Sequence, residues 1–189
     1  VLFVRHATTP GMRAACFPGG DEDADAASLA RAAAVLAPLA TDSGAVAWVA
    51  PSGAARQTAA AAGLVQDVVP ALAEADFGRW RGLPYGQVAR EEPDALASWL
   101  TDPHAAPHGG ESLAGLAARV AGWLGTLEPA GCTGVAVCDV GVIRAVLGHV
   151  LGLGPSSAAL FDLAPLSVTE LVATRDGWRV AYVNRKALS

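Results

Sequence analysis

The chain is nearly without lysine: Lys186 is its only one, and every other basic residue is an arginine. Charge is scarce altogether, at 16% of residues against about a quarter in ordinary globular chains. That scarcity argues against a disordered or heavily solvated chain. The net charge of −5 argues against non-specific binding to nucleic acid or to an anionic membrane surface. Cysteine is limited to Cys16, Cys132 and Cys138, an odd number with no Cys-x-x-Cys pair. No disulfide framework is implied, and a reduced, cytoplasmic protein is expected. No leader pattern and no uncharged apolar run of bilayer length stands out, so no membrane association is expected. Metal-ligand spacing is missing too. His104 and His108 are four apart, but Pro103, Pro107 and Gly109 would break the helix needed to put them on one face. No glycine-rich stretch runs into a lysine as a P-loop does. Neither metal nor cofactor is expected.

What is present is apolar: 52% of 189 residues are hydrophobic, enough for one domain over 1–189 with a large core. Residues 1–5 (VLFVR), 45–51 (AVAWVAP) and 134–139 (GVAVCD) read as short buried strands. Residues 7–26 read as a loop, with the acidic run DEDAD as a solvated surface. Helices are expected at 27–40, broken near Pro38, and at 53–63, stopped by Gly63. Others are expected at 84–101 with a break at Pro93, at 111–128, and from residue 140 onward. SVTELVAT (167–174) and WRVAYVN (178–184) read as a β-hairpin around Arg175-Asp176-Gly177. Strands alternating with helices predict an α/β fold, a three-layer α/β/α sandwich with a mostly parallel central sheet.

In such sheets the chemistry gathers at the carboxyl ends of the strands. Three strands end there in Arg5-His6, Pro51 and Asp139. This predicts that Arg5, His6, the start of the helix at 53 and Asp139 share one rim. Asp139, just ahead of a helix, also reads as an N-cap.

The motifs along this rim form a recognisable series. VLFVRHATT with a following Cys-Phe-Pro-Gly loop, APSGAARQTA, LAEADFGRWRG, PHGGES and CDVGVIRAVL resemble, in order, the five motifs of the histidine phosphatase superfamily in its phosphoglycerate-mutase-like, α-ribazole-phosphatase-like branch. The resemblance implies a phosphoglycerate-mutase-like fold and two-step phosphoryl transfer through a phosphohistidine. It implies that His6 is the nucleophile, Arg5 a phosphate ligand and Glu74 the general acid. Glu111 and Ser112 match a segment at the pocket rim, and Ala7 stands where the family has glycine.

Two positions depart from that pattern. The family's second arginine falls on Ala54, and Arg56 is two residues further along the helix, about 200° around it. The family's second histidine is Asp139. A unit charge pair about 4 Å apart at an effective dielectric of 20 is worth about 4 kcal/mol, so a phosphate facing Asp139 loses several orders of magnitude in rate. Two replacements offer themselves: Arg13 could reach the phosphate site from the first loop, and His108 could lean in from PHGGES. Trp80 could line the pocket, flanked by Arg79 and Arg81, where an arginine could attract an anionic substrate. His149, about 15 Å along a helix from Asp139, is out of reach. Three functions remain open. One is a weak or specialised phosphomonoesterase acting through His6. Another is an acid–base catalyst on a non-phosphorylated small molecule, with Asp139 paired to Arg5 or His6, holding the imidazole's tautomer so that His6 is the general base. The last is a non-catalytic pseudo-phosphatase with a binding or structural role, in which Arg5 and Asp139 form a buried pair. A small-molecule partner is expected, and a monomer or homodimer.

Overall fold

The computed structural model describes residues 1–40, 46–128, 132–175 and 177–186. Its centre is a six-stranded sheet. The strands are β1 (Leu2–Arg5), β2 (Val46–Val49), β3 (Gln66–Val68), β4 (Gly134–Cys138), β5 (Ser167–Thr174) and β6 (Gly177–Lys186). Their order is β3-β2-β4-β1-β5-β6. The pairs β1–β4, β2–β4 and β2–β3 are parallel, and β5 and β6 close one side antiparallel. All five residues of β4 are buried, as a strand covered on both faces requires. The expected three-layer α/β/α sandwich is therefore what the chain forms. The tip of the β5–β6 hairpin includes Asp176, which lies outside the described residues.

The helices are α1 (Pro10–Arg13), α2 (Ala26–Ala40), α3 (Gly53–Ala61), α4 (Tyr85–Glu91), α5 (Pro93–Thr101), α6 (Leu113–Leu124), α7 (Val140–Leu151) and α8 (Pro155–Ala158). α2 packs on α3, and α6 on α7. Three features differ from the sequence reading. The first loop contains the short helix α1, started by Thr9, whose hydroxyl accepts from the Met12 N–H, and by Pro10 at the first helical position. α2 is not broken at Pro38 but runs on to Ala40; a proline in the last turn removes one bond where the helix is ending anyway. α6 begins at Leu113 rather than 111, because the Ser112 side chain accepts from Gly115 N–H and sets the cap there.

The acidic run is solvated at Asp21 and Asp23, which are exposed, but it is also tied to its neighbours. Glu22 accepts from Gly11 N–H, Asp23 from the Gln57 amide and Asp25 from Arg13. These contacts fold the first loop down over the start of α3, beside the strand ends.

Phe3 and Trp48, on neighbouring parts of the sheet, both meet the Trp123 ring of α6 edge-on, at 6.3 and 5.6 Å between centroids. Phe3 is fully buried, so Phe3→Ala should cost about 3–5 kcal/mol. Urea unfolding checks this; a loss below 1 kcal/mol would mean the sheet does not depend on that contact.

Candidate active site

Strand register brings the site together. β1 and β4 are parallel with Arg5 opposite Cys138, and the His6 N–H continues the ladder to the Cys138 carbonyl at 3.0 Å. The next residues on the two strands, His6 and Asp139, therefore emerge side by side. Their side chains meet: His6 Nε2 lies 2.9 Å from Asp139 Oδ1, and His6 Nδ1 lies 2.7 Å from the Ala7 carbonyl. The two residues are 5% and 7% exposed. Nδ1 donates to the Ala7 carbonyl, and Nε2 shares its hydrogen bond with the Asp139 carboxyl. Burial alone would push its pKa down, but the charge and hydrogen bond of Asp139, with the Ala7 carbonyl, raise it above the ordinary value.

The other oxygen of Asp139 accepts from Ser52 Oγ at 3.2 Å. Ser52 precedes α3, which is held beside β1 by Thr58, whose hydroxyl accepts from Ala7 N–H at 2.9 Å and donates to the Ala54 carbonyl. Ala54 is buried, and Arg56 is on the exposed face of α3, as the helix geometry predicts.

Glu74 closes the site from the loop after β3. Its carboxyl accepts from Ala75 N–H at 2.8 Å and from Gly141 N–H at 2.7 Å. Asp139 stands at the cap position of α7, but its side chain makes no capping bond; Glu74 supplies the cap from across the site, because Asp139 is turned to His6. A side chain at residue 141 would exclude this, since a Cβ there would lie 2.0 Å from Glu74 Oε1. Burial, and next the charge of Asp139, raise the Glu74 pKa from 4.5 to about 7 against the pull of the two N–H groups and His6.

Arg5 lines the same small cavity as His6, Glu74 and Asp139. Its Nη1 donates to the Leu163 carbonyl, and its buried Nε has no protein partner. Burial and the nearby Arg144 guanidinium lower its pKa. Arg144 donates from Nε and Nη2 to the Phe161 carbonyl, at 3.0 and 2.9 Å, so the two arginines anchor one loop. Glu22 completes the lining. Arg5 and His6 thus face three carboxyl groups, those of Glu22, Glu74 and Asp139, around a cavity of about 60 Å³.

The remaining predicted residues lie elsewhere or act on the scaffold. Arg13 pairs with Asp25 at 2.7 Å, largely exposed. Trp80 is fully buried against Phe17, Trp99 and His108. His108 is also buried; its Nδ1 accepts from Gly110 N–H at 3.1 Å, and burial lowers its pKa. Arg79 and Arg81 are tied to Glu92 and Asp76. Glu111 pairs with Arg119 at 2.7 Å, and Arg119 also donates to the Ala71 and Ala73 carbonyls. Ser112 caps α6. PHGGES lies backbone to backbone on the Glu74 loop: a Cβ at Gly110 would be 1.9 Å from the Asp76 carbonyl oxygen. These residues set where Glu74 stands. The sequence reading missed Glu22 and Ser52; both sit in or beside segments it placed at the rim.

Next to the polar cavity is a far larger one of about 540 Å³. Cys16, Pro18, Glu74 and Val140 line both. Among the described residues no group of three His, Cys, Asp or Glu side chains could hold a metal ion, and no helix is long and apolar enough to cross a membrane.

This fold and this strand-end histidine define a class. The chain belongs to the histidine phosphatase superfamily, branch 1, whose family model matches residues 1–186. It is 35% identical over 122 residues to the bifunctional protein Rv2228c of Mycobacterium tuberculosis, a match covering 60% of this chain and 33% of that protein. The chain thus spans about a third of the length of that curated relative. Among solved structures it resembles the mycobacterial glucosyl-3-phosphoglycerate phosphatase Rv2419c in complex with VO3, with TM-score 0.81, 26% identity and coverage of 98% and 99% of the two chains. The α-ribazole phosphatase of Shigella flexneri shares the fold at TM-score 0.86 and 19% identity, covering 100% of this chain and 97% of that one.

The raised Glu74 pKa makes a prediction about stability. Between 4.5 and about 7 the folded chain holds this proton and the unfolded chain does not, so the contribution is complete below that window and is lost as pH rises through it. His6, also raised, acts with the same sign. Glu74→Gln cannot lose a proton. Its stability relative to the wild type should therefore rise by about 2–3 kcal/mol from pH 5 to pH 8, measured by urea unfolding. A flat or falling difference would contradict a protonated Glu74.

Proposed function

We propose that this chain is an acid–base enzyme on the histidine phosphatase fold, acting on an uncharged, non-phosphorylated small molecule. One observation carries the reading: the 2.9 Å contact between His6 Nε2 and Asp139. It engages a ring nitrogen that would otherwise attack phosphorus. It also sets a carboxylate, with Glu22 and Glu74, where a phosphate dianion would need cations. Arg5 is committed to a carbonyl, and Ala54 adds no charge.

The same contact separates two carboxyl groups. Glu74, raised to about 7, is a proton donor near neutrality. Asp139, facing His6 and Ser52, is the proton acceptor. Two carboxyls whose surroundings differ in this way divide the acid and base roles between them. In ester hydrolysis, Asp139 takes a proton from water as its oxygen adds to the carbonyl carbon. Glu74 gives its proton to the alkoxide that leaves as the acyl C–O bond breaks, and solvent restores both. His6, read from the sequence as the general base, is here a positioning residue that holds Asp139 through the 2.9 Å contact. Among the relatives, the VO3 complex of a glucosyl-3-phosphoglycerate phosphatase favours a second reading, a residual phosphomonoesterase that requires a neutral His6.

p-Nitrophenyl phosphate and p-nitrophenyl butyrate, assayed across pH 4–9, separate the two. The expected result is no phosphate turnover above the His6→Ala blank, and butyrate hydrolysis with a bell-shaped profile. Glu74→Gln and Asp139→Asn should each lower kcat about 100-fold or more. Phosphate turnover that depends on His6 would overturn the reading.

A further inference from the structure

Ser52 occupies the N-cap position of α3, yet its side chain makes no capping bond. A serine there ordinarily accepts from an N–H of the first turn. Here Oγ donates instead to Asp139 Oδ2 at 3.2 Å, while Asp139 Oδ1 meets His6 Nε2 at 2.9 Å. One carboxyl therefore links a hydroxyl to an imidazole, with one oxygen for each. Ser52 is only partly buried, and it lines both the small polar cavity and a neighbouring one of about 220 Å³. No donor among the described residues bonds to its oxygen, so the lone pairs of Oγ are free while its proton faces a carboxyl.

The other hydroxyl and thiol groups around the small cavity are engaged differently. Thr9 is buried, and its hydroxyl accepts from the Met12 N–H. Cys16 directs its thiol to the Ala14 carbonyl, at 3.8 Å. Of these three groups, only Ser52 gives its proton to a carboxyl. The backbone adds a second component. The first hydrogen bond of α3 runs from Arg56 N–H to the Ser52 carbonyl at 3.2 Å, so the N–H groups of Gly53, Ala54 and Ala55 have no partner within the helix. They point back toward the strand-end rim, and Ala54 itself lines the small cavity. N–H groups at the start of a helix favour negative charge, and beside a nucleophile they hold a developing oxyanion.

We propose that Ser52 is the nucleophile of the ester hydrolysis described above, forming an acyl-enzyme with Asp139 as its base. The proposal rests on the acid–base reading for the reaction and for the role of Glu74. Ser52 Oγ adds to the ester carbonyl carbon, and its proton passes to Asp139 Oδ2. The oxyanion so formed lies at the start of α3. As it collapses, the acyl C–O bond to the alcohol breaks, and Glu74 gives its proton to the leaving oxygen. Solvent then takes the proton from Asp139 and returns one to Glu74. Water adds to the acyl carbon of the Ser52 ester, and its proton passes to Asp139. Ser52 Oγ leaves with that proton, and the carboxylic acid departs. The attack of water is thus the second half of the reaction, on the acyl-enzyme.

p-Nitrophenyl pivalate tests this, because its crowded acyl group slows the second half and lets the product of the first accumulate. The wild type should release nitrophenolate in a burst and carry one pivaloyl group, which peptide mass spectrometry should place on Ser52. Asp139→Asn should slow the burst about 100-fold or more. Ser52→Ala, with its fold checked by circular dichroism, should lose the adduct and lower p-nitrophenyl butyrate turnover about 100-fold or more. An adduct on His6 or Cys16, no adduct, or a smaller loss of turnover in folded Ser52→Ala would overturn the proposal. Should Ser52→Ala fail to fold, the position of the wild-type adduct decides. Butyrate turnover without an adduct would count against Ser52 alone and leave direct attack by water. An adduct on Ser52 without butyrate turnover would uphold Ser52 as a nucleophile and count against the acid–base reading alone.

Discussion

A buried contact between one histidine and one aspartate governs this molecule's functional end. His6 and Asp139 leave adjacent parallel strands at matched register, so the sheet itself sets their separation. Once they meet, the other site groups follow. Asp139 is turned from its helix, so α7 takes its cap from Glu74. Glu74, pressed against α7 and facing Asp139, is pushed up toward pH 7. Removing either member of the pair leaves the other buried and uncompensated, a change that is strongly destabilising in general.

The surroundings are consistent with that centre. The acidic loop keeps Asp21 and Asp23 exposed and is held in place by Gly11, Gln57 and Arg13. It delivers Glu22 to the small cavity. Arg5 and Arg144 both spend hydrogen bonds on the loop at 161–163. A scaffold shared with phosphatases thus carries a site lined by three acidic groups against Arg5 and His6, next to a larger and mostly apolar cavity.

Much of this was legible in the chain. Short apolar runs ending in Arg5-His6 and Asp139 announced parallel strands and a shared rim, because strand ends are where such runs must stop. Gly63 and Pro93 marked helix limits by local backbone chemistry. What stayed hidden depends on contacts distant in sequence. DEDAD has the composition of a solvated loop, and Asp21 and Asp23 are exposed, but only the contact with Gly11 N–H shows that Glu22 lies at the site. Asp139 had the sequence of an N-cap; a nearer and more strongly bonded partner, His6, took its carboxylate. Trp80 and His108 sit in motifs at the rim, yet an aromatic cluster with Phe17, Phe77 and Trp99 holds them inside. Pattern alone gives no direction for a ring in a loop.

The protonation of His6 is the most direct test of the account. Nitrogen-15 chemical shifts of the His6 ring, followed from pH 5 to pH 9 in the wild type and in Asp139→Asn, report it. The account predicts both ring nitrogens protonated at pH 7 in the wild type, with the proton lost at lower pH in Asp139→Asn. A wild-type ring with an unprotonated Nε2 at pH 7, unchanged by the substitution, would contradict it.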